Sequence, residues 1–106
     1  MTFIDLSSQP LQQPVVGARL RCVHSEQMTV AHWEFEPDTE VPMHTHPHEQ
    51  IVNVIEGEFE LEVAGERRTL RPGIVVVVPP NAPHGGRSVT ACRVIDCFHP
   101  VREDLR

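Results

Sequence analysis

"HTHPHEQIVNVIEGEFELEV", residues His44 to Val63, decides how the rest of the chain is read. Its second half alternates: Phe59, Leu61 and Val63 fall on one face of an extended chain, and Glu58, Glu60 and Glu62 on the other, because side chains two apart point the same way. This predicts a strand over Glu58–Val63 with one wet side. Gln50–Glu56 reads as the strand before it, joined through a tight connection at Glu56–Gly57. The first half packs three histidines, a glutamate and a glutamine into seven positions. His44 and His46 would project together from a strand, and paired imidazoles are half of a metal site. Pro47 bends the chain before Gln50.

The same rhythm extends in both directions. Ten prolines and six glycines punctuate the sequence, and short β-like runs recur between them, as in a sandwich or small barrel. Further strands are predicted near Ala18–His24, Met28–Glu36, Val41–His46, Arg68–Arg71, Ile74–Val78 and Val89–Phe98. Turn chemistry matches at Pro37–Asp38, Ala64–Glu66 and Arg71–Gly73. Residues 1–16, with Pro10 and Pro14, read as an extended arm, loose or laid along a partner subunit; 17–106 read as a single domain. The run Ile74–Val78 does not alternate, which predicts a strand covered on both faces. In Met28–Glu36 one face carries Thr29, Ala31, Trp33 and Phe35 and the other Met28, Val30, His32, Glu34 and Glu36; alternation leaves open which looks inward. On Val89–Phe98, Cys92, Val94, Asp96 and Phe98 share a face. A buried aspartate there must be paired or used; a solvent-facing Asp96 is the competing reading.

Bulk properties narrow the function. A formal charge of −6 argues against nucleic acid. All nine basic residues are arginines, so Schiff-base and lysine-base chemistry are excluded. Three widely spaced cysteines, Cys22, Cys92 and Cys97, make a poor disulfide framework. The start "MTFIDLSSQP" has no basic n-region or apolar h-region, and no aliphatic run is long enough to span a membrane. A soluble cytoplasmic protein is the expectation.

His84, in "PPNAPHGG", is the candidate for a further donor. At these spacings the sequence resembles the cupins. Their first motif is G, five residues, HxH, three or four residues, E, six residues, G; His44, His46, Gln50 and Gly57 fall in register. Their second is G, five residues, PxG, two residues, H, three residues, N; Gly73, Pro79 and His84 fall in register. Asp38 and Asn81 replace two motif glycines, and both residue types tolerate a left-handed backbone. Ser88 replaces the final asparagine. The resemblance implies a cupin jelly-roll barrel with one divalent transition metal ion, Ni, Zn, Mn, Fe or Co, on His44, His46, Gln50 and His84. Glu49 is an alternative ligand, but on a regular strand it points away from Gln50. His48 reads as a solvated bystander, with a supporting role behind the ligands as the other reading. A neutral glutamine leaves the full +2 on the ion, which suits Lewis-acid work on an acidic substrate and counts against oxygen chemistry.

The ending "VIDCFHPVREDLR" is similar to that of the small KdgF-like cupins, as are "HPHEQ" and "GERR". That group implies activity on 4,5-unsaturated uronic acids from pectin or alginate, giving linear 4-deoxy-5-ketouronate. By the same resemblance Asp96 is the general acid or base, Arg102 the carboxylate ligand and Phe98 the pocket wall, and His99 departs from a common serine. The expected partners are a small acidic or hydroxylated substrate and a second copy in a homodimer, with the arm or the Trp33 strand at its interface, and neither nucleic acid nor membrane. A metal-dependent dioxygenase and a non-enzymatic small-molecule sensor are the alternatives.

Overall fold

Alternate apolar side chains turn to one side of each strand and meet between two sheets. In the computed structural model, which describes residues Met1–Arg106, the strands are β1 (Ala18–His24), β2 (Thr29–Phe35), β3 (Glu40–His44), β4 (Glu49–Glu56), β5 (Phe59–Val63), β6 (Glu66–Leu70), β7 (Val75–Val78), β8 (His84–Ser88) and β9 (Cys92–His99). One sheet has the order β1-β2-β9-β4-β7 and the other β3-β8-β5-β6. Every pairing is antiparallel. This is the jelly roll: β4 lies in one sheet, β5 in the other, and the inner faces close a core. No helix is long and apolar enough to cross a membrane.

The core follows from the alternation. Phe35, Val52, Val54, Phe59, Leu61, Leu70, Val78 and Val94 form one buried cluster, and Leu20, Cys22, Ala31 and Phe98 a second. Trp33 packs against both and stacks on Phe35 at 5.2 Å and 11°. The face of β2 bearing Thr29, Ala31, Trp33 and Phe35 is therefore the inner one, and β9 buries Cys92, Val94, Asp96 and Phe98. The backbone is left-handed at Asp38 (φ 60°) and Asn81 (φ 66°), where side chains with short polar groups bear it best.

Several elements depart from the sequence reading. The strand expected at Arg68–Arg71 lies at Glu66–Leu70, because the turn is the two-residue Ala64–Gly65, both at positive φ (48° and 86°), as a type I′ hairpin needs. The strand expected at Val89–Phe98 starts only at Cys92, and β8 precedes it unpredicted. The valine run is not covered on both faces. β7 is an edge strand, and Val75 and Val77 are 53% and 59% exposed while Val78 is buried. Val76 and Val78 alone face inward.

The arm lies on its own barrel. Gln12 and Leu20 exchange backbone hydrogen bonds of 2.8 and 2.9 Å, and Arg21 Nε donates to the Gln9 carbonyl at 3.3 Å. A short 3-10 turn, Glu103–Leu105, closes the chain beside it.

Candidate metal centre and the cavity beneath it

β3 delivers His44 and β8 delivers His84 as direct cross-strand partners. The linker to β4 delivers His46, and β4 itself delivers Gln50. One ring nitrogen each from His44, His46 and His84 lies within 4.8 Å of the others. Gln50 Oε1 sits 3.0 Å from His46 Nε2. The four residues that the resemblance implies as ligands are thus gathered in one place. Glu49 is exposed and turned away.

The ring orientations are fixed by the backbone. Nδ1 of His44 lies 2.8 Å from the Pro42 carbonyl, Nδ1 of His84 2.8 Å from the Ala82 carbonyl, and Nδ1 of His46 3.1 Å from the His48 carbonyl. A carbonyl only accepts, so each Nδ1 carries the proton and each neutral ring keeps a lone pair on Nε2. His84 Nε2 is buried and has no hydrogen-bond partner. His46 Nε2 and Gln50 Oε1, both acceptors in this tautomer, converge on each other. A cation resolves that conflict and satisfies the orphaned nitrogen, so the donor set fits a divalent metal ion. Burial lowers the His46 pKa to about 4, helped by the nearby Arg102, His84 and His44 charges, against the Gln50 Oε1 acceptor, which favours the protonated ring and raises it. Burial also lowers that of His84. Both rings are held neutral, the form that binds metal.

His48 contributes more than a bystander would. Its carbonyl orients His46, and its ring packs edge-on to His46 at 5.4 Å. No local pattern marks this role, because the contact is made by the backbone.

A cavity of about 350 Å³ lies under the histidines. Gln50, His84, Asp96, Phe98 and Arg102 line it together with His44. Trp33, Phe35, Val52, Phe59, Leu61 and Val94 form apolar walls, and Pro14 and Val15 of the arm and Leu105 also line it. Asp96 is 8% exposed, which excludes the solvent-facing alternative. Burial pushes its pKa up to about 7, against the pull of Gln50, Trp33 and Arg102. Trp33 Nε1 and Asp96 Oδ1 are both buried, and neither forms a well-aligned hydrogen bond, so the relief from Trp33 is weak and desolvation wins. Phe98 lies edge-on to His46 at 5.5 Å, and the Arg102 guanidinium stands 4.6 Å over the Phe98 ring. His99, on the other face of β9, is exposed. Trp33 and the arm residues escaped the sequence reading of the site, since one-strand alternation does not reveal which face meets the cavity.

The family model described as Cupin domain matches residues 31–98. The pectin degradation protein KdgF of Dickeya dadantii (strain 3937) is 40% identical over 59 residues, 55% of this chain and 54% of that protein. The match thus spans about half the length of that curated relative. The structure of KdgF from Halomonas sp. superposes with a TM-score of 0.91 at 29% identity, covering 100% of this chain and 99% of that one. An RmlC-like cupin from Shewanella frigidimarina NCIMB 400 superposes with a TM-score of 0.92 at 28% identity, covering 100% and 96%.

Proposed function

The chain belongs to the cupin family, and we propose that within it this protein is a metal-dependent enzyme that opens 4,5-unsaturated uronic acids to linear 4-deoxy-5-ketouronate. The observation that carries the reading is one cavity lined both by His44 and His84 of the carbonyl-oriented histidine cluster and by Asp96 and Arg102. Likeness to two proteins named KdgF, one of them a pectin degradation protein, supports the substrate class.

His44, His46, Gln50 and His84 would hold the ion, which supplies Lewis acidity toward a sugar oxygen. Arg102 binds the carboxylate. The reaction is an isomerisation. The hemiacetal hydroxyl loses its proton, the bond from C1 to the ring oxygen breaks, C1 becomes an aldehyde, the former ring oxygen stays on C5 as a ketone, and C4 gains a proton. Asp96 lies in the cavity as the group that moves this proton. Phe98 walls the ring, and the apolar surround excludes water, which strengthens each charged contact.

Metal-loaded protein incubated with unsaturated uronate should erase its alkene absorbance faster than the spontaneous reaction. Asp96→Ala should lower kcat by about 100-fold or more. Decay at the spontaneous rate would remove the assignment.

We also propose that a second copy packs on the outer face of the five-stranded sheet. Val23, Val30, Cys97, Ile51 and Val77 are successive cross-strand neighbours over all five strands. A parallel row, Arg19, Glu34, Arg93 and Glu56, alternates in sign. A copy turned end for end sets Arg19 against Glu56 and Glu34 against Arg93, so the face complements itself. Trp33 points into the barrel and takes no part.

A further inference from the structure

Arg102 is held at its backbone, over its face and along one edge. Its backbone N–H donates to Thr29 Oγ1 at 2.9 Å, and Thr29 is fully buried in β2. Its guanidinium stacks over Phe98. Its Nε and Nη2 donate to the two carboxylate oxygens of Asp104 at 2.9 and 2.7 Å. Asp104 belongs to the closing turn Glu103–Leu105, and the Leu105 carbonyl accepts from Gln12 Nε2 of the arm at 3.0 Å.

The guanidinium offers five N–H groups in one plane. Asp104 occupies the edge formed by Nε and Nη2. The edge formed by Nη1 and the second Nη2 hydrogen stays available, on a side chain that is 12% exposed and lines the cavity. We propose that Asp104 is a positioning residue: it grips one edge of Arg102 so that the opposite edge meets a ligand carboxylate in a two-point contact. This rests on Arg102 being the carboxylate ligand. A competing arrangement, in which Asp104 blocks Arg102, predicts the opposite effect of removing it.

The test is calorimetric binding of D-galacturonate and of D-galactose, which lacks the carboxylate, to the zinc-loaded full chain. The native chain should prefer galacturonate, and Arg102→Gln should abolish the preference. Asp104→Asn should weaken galacturonate binding about 10-fold and leave galactose unchanged, an effect that general loosening of the fold would not produce. Asp104→Glu, with the same charge at the wrong reach, should fall between, and it carries the test alone if Asp104→Asn does not fold. Galacturonate binding that is unchanged or tighter in the Asp104 variants, with Arg102→Gln still abolishing the preference, overturns the inference and spares the role of Arg102. A native chain without the preference, or Arg102→Gln retaining it, removes both.

Discussion

Asp96 sits where a carboxylate is expensive, and its linkage to pH can be worked out for the metal-free chain. Its pKa of about 7 stands above the ordinary 3.8. The folded state keeps a proton that the unfolded state has released between those values. Its contribution to stability is therefore complete below pH 3.8 and lost as the pH rises through 7. His46 has the opposite sign. Its pKa falls from 6.5 to about 4, so its contribution is complete above pH 6.5 and lost as the pH falls through 4. Between those limits the two offset each other. Metal-free Asp96→Asn, uncharged throughout, should melt higher than the native chain at pH 8, by at most about 4 kcal/mol at ~1.4 kcal/mol per unit, and lose the margin near pH 4. Equal melting temperatures at both pH values would mean a well-solvated carboxylate. How far such residues were readable differs. Alternation paired His44 with His46, and the register of the cupin motifs added Gln50 and His84 to the expected donor set. The tautomers were not readable, since they depend on three backbone carbonyls brought near by folding.

At the scale of elements, β8 shows why one strand was missed. Its sequence, "HGGRS", has two glycines and no apolar alternation, but glycine inside a strand also marks a close approach of another backbone. A Cβ on Gly86 would come within 2.1 Å of the Glu60 carbonyl oxygen on β5 and 2.7 Å of the Phe59 ring. Gly86→Ala should therefore push β8 outward, cost roughly 1–3 kcal/mol, and weaken zinc binding through His84, two residues away. Thermal melts and a zinc titration check both; an unchanged zinc affinity would mean that β8 yields elsewhere. The hairpin between β5 and β6 offers the reverse. Ala64 holds φ at 48° without the side chain that suits it, so Ala64→Asn should stabilise by about 1 kcal/mol, read as a raised denaturant midpoint. The valine run misled for a related reason. Apolar composition reports what a strand could bury, whereas β7 lies at a sheet edge, and edge position is a property of topology.

For the whole molecule, the outer face of the larger sheet is the feature that a lone 12.0 kDa barrel leaves unexplained. Ile51, on β4, and Val77, on the edge strand β7, are 40% and 59% exposed there. The native chain should sediment as a dimer, and Ile51→Asp with Val77→Asp should sediment as a monomer that retains its circular dichroism. A native chain sedimenting at 12.0 kDa would dismiss the pairing. Turn spacing and alternation narrowed the fold to a sandwich or small barrel and the motif resemblance selected the jelly roll, but the path of the arm was not legible, because it is set by single contacts from Gln12 and Arg21 rather than by any periodic pattern. The composition has one more consequence. The chain contains one tryptophan and no tyrosine, and that tryptophan lines the cavity beneath the histidines. Emission from the intact protein, excited at wavelengths that phenylalanine does not absorb, therefore originates at a single indole in that cavity. Occupancy of the cavity can be followed in solution by its wavelength and intensity, with no label attached and no background from elsewhere in the fold.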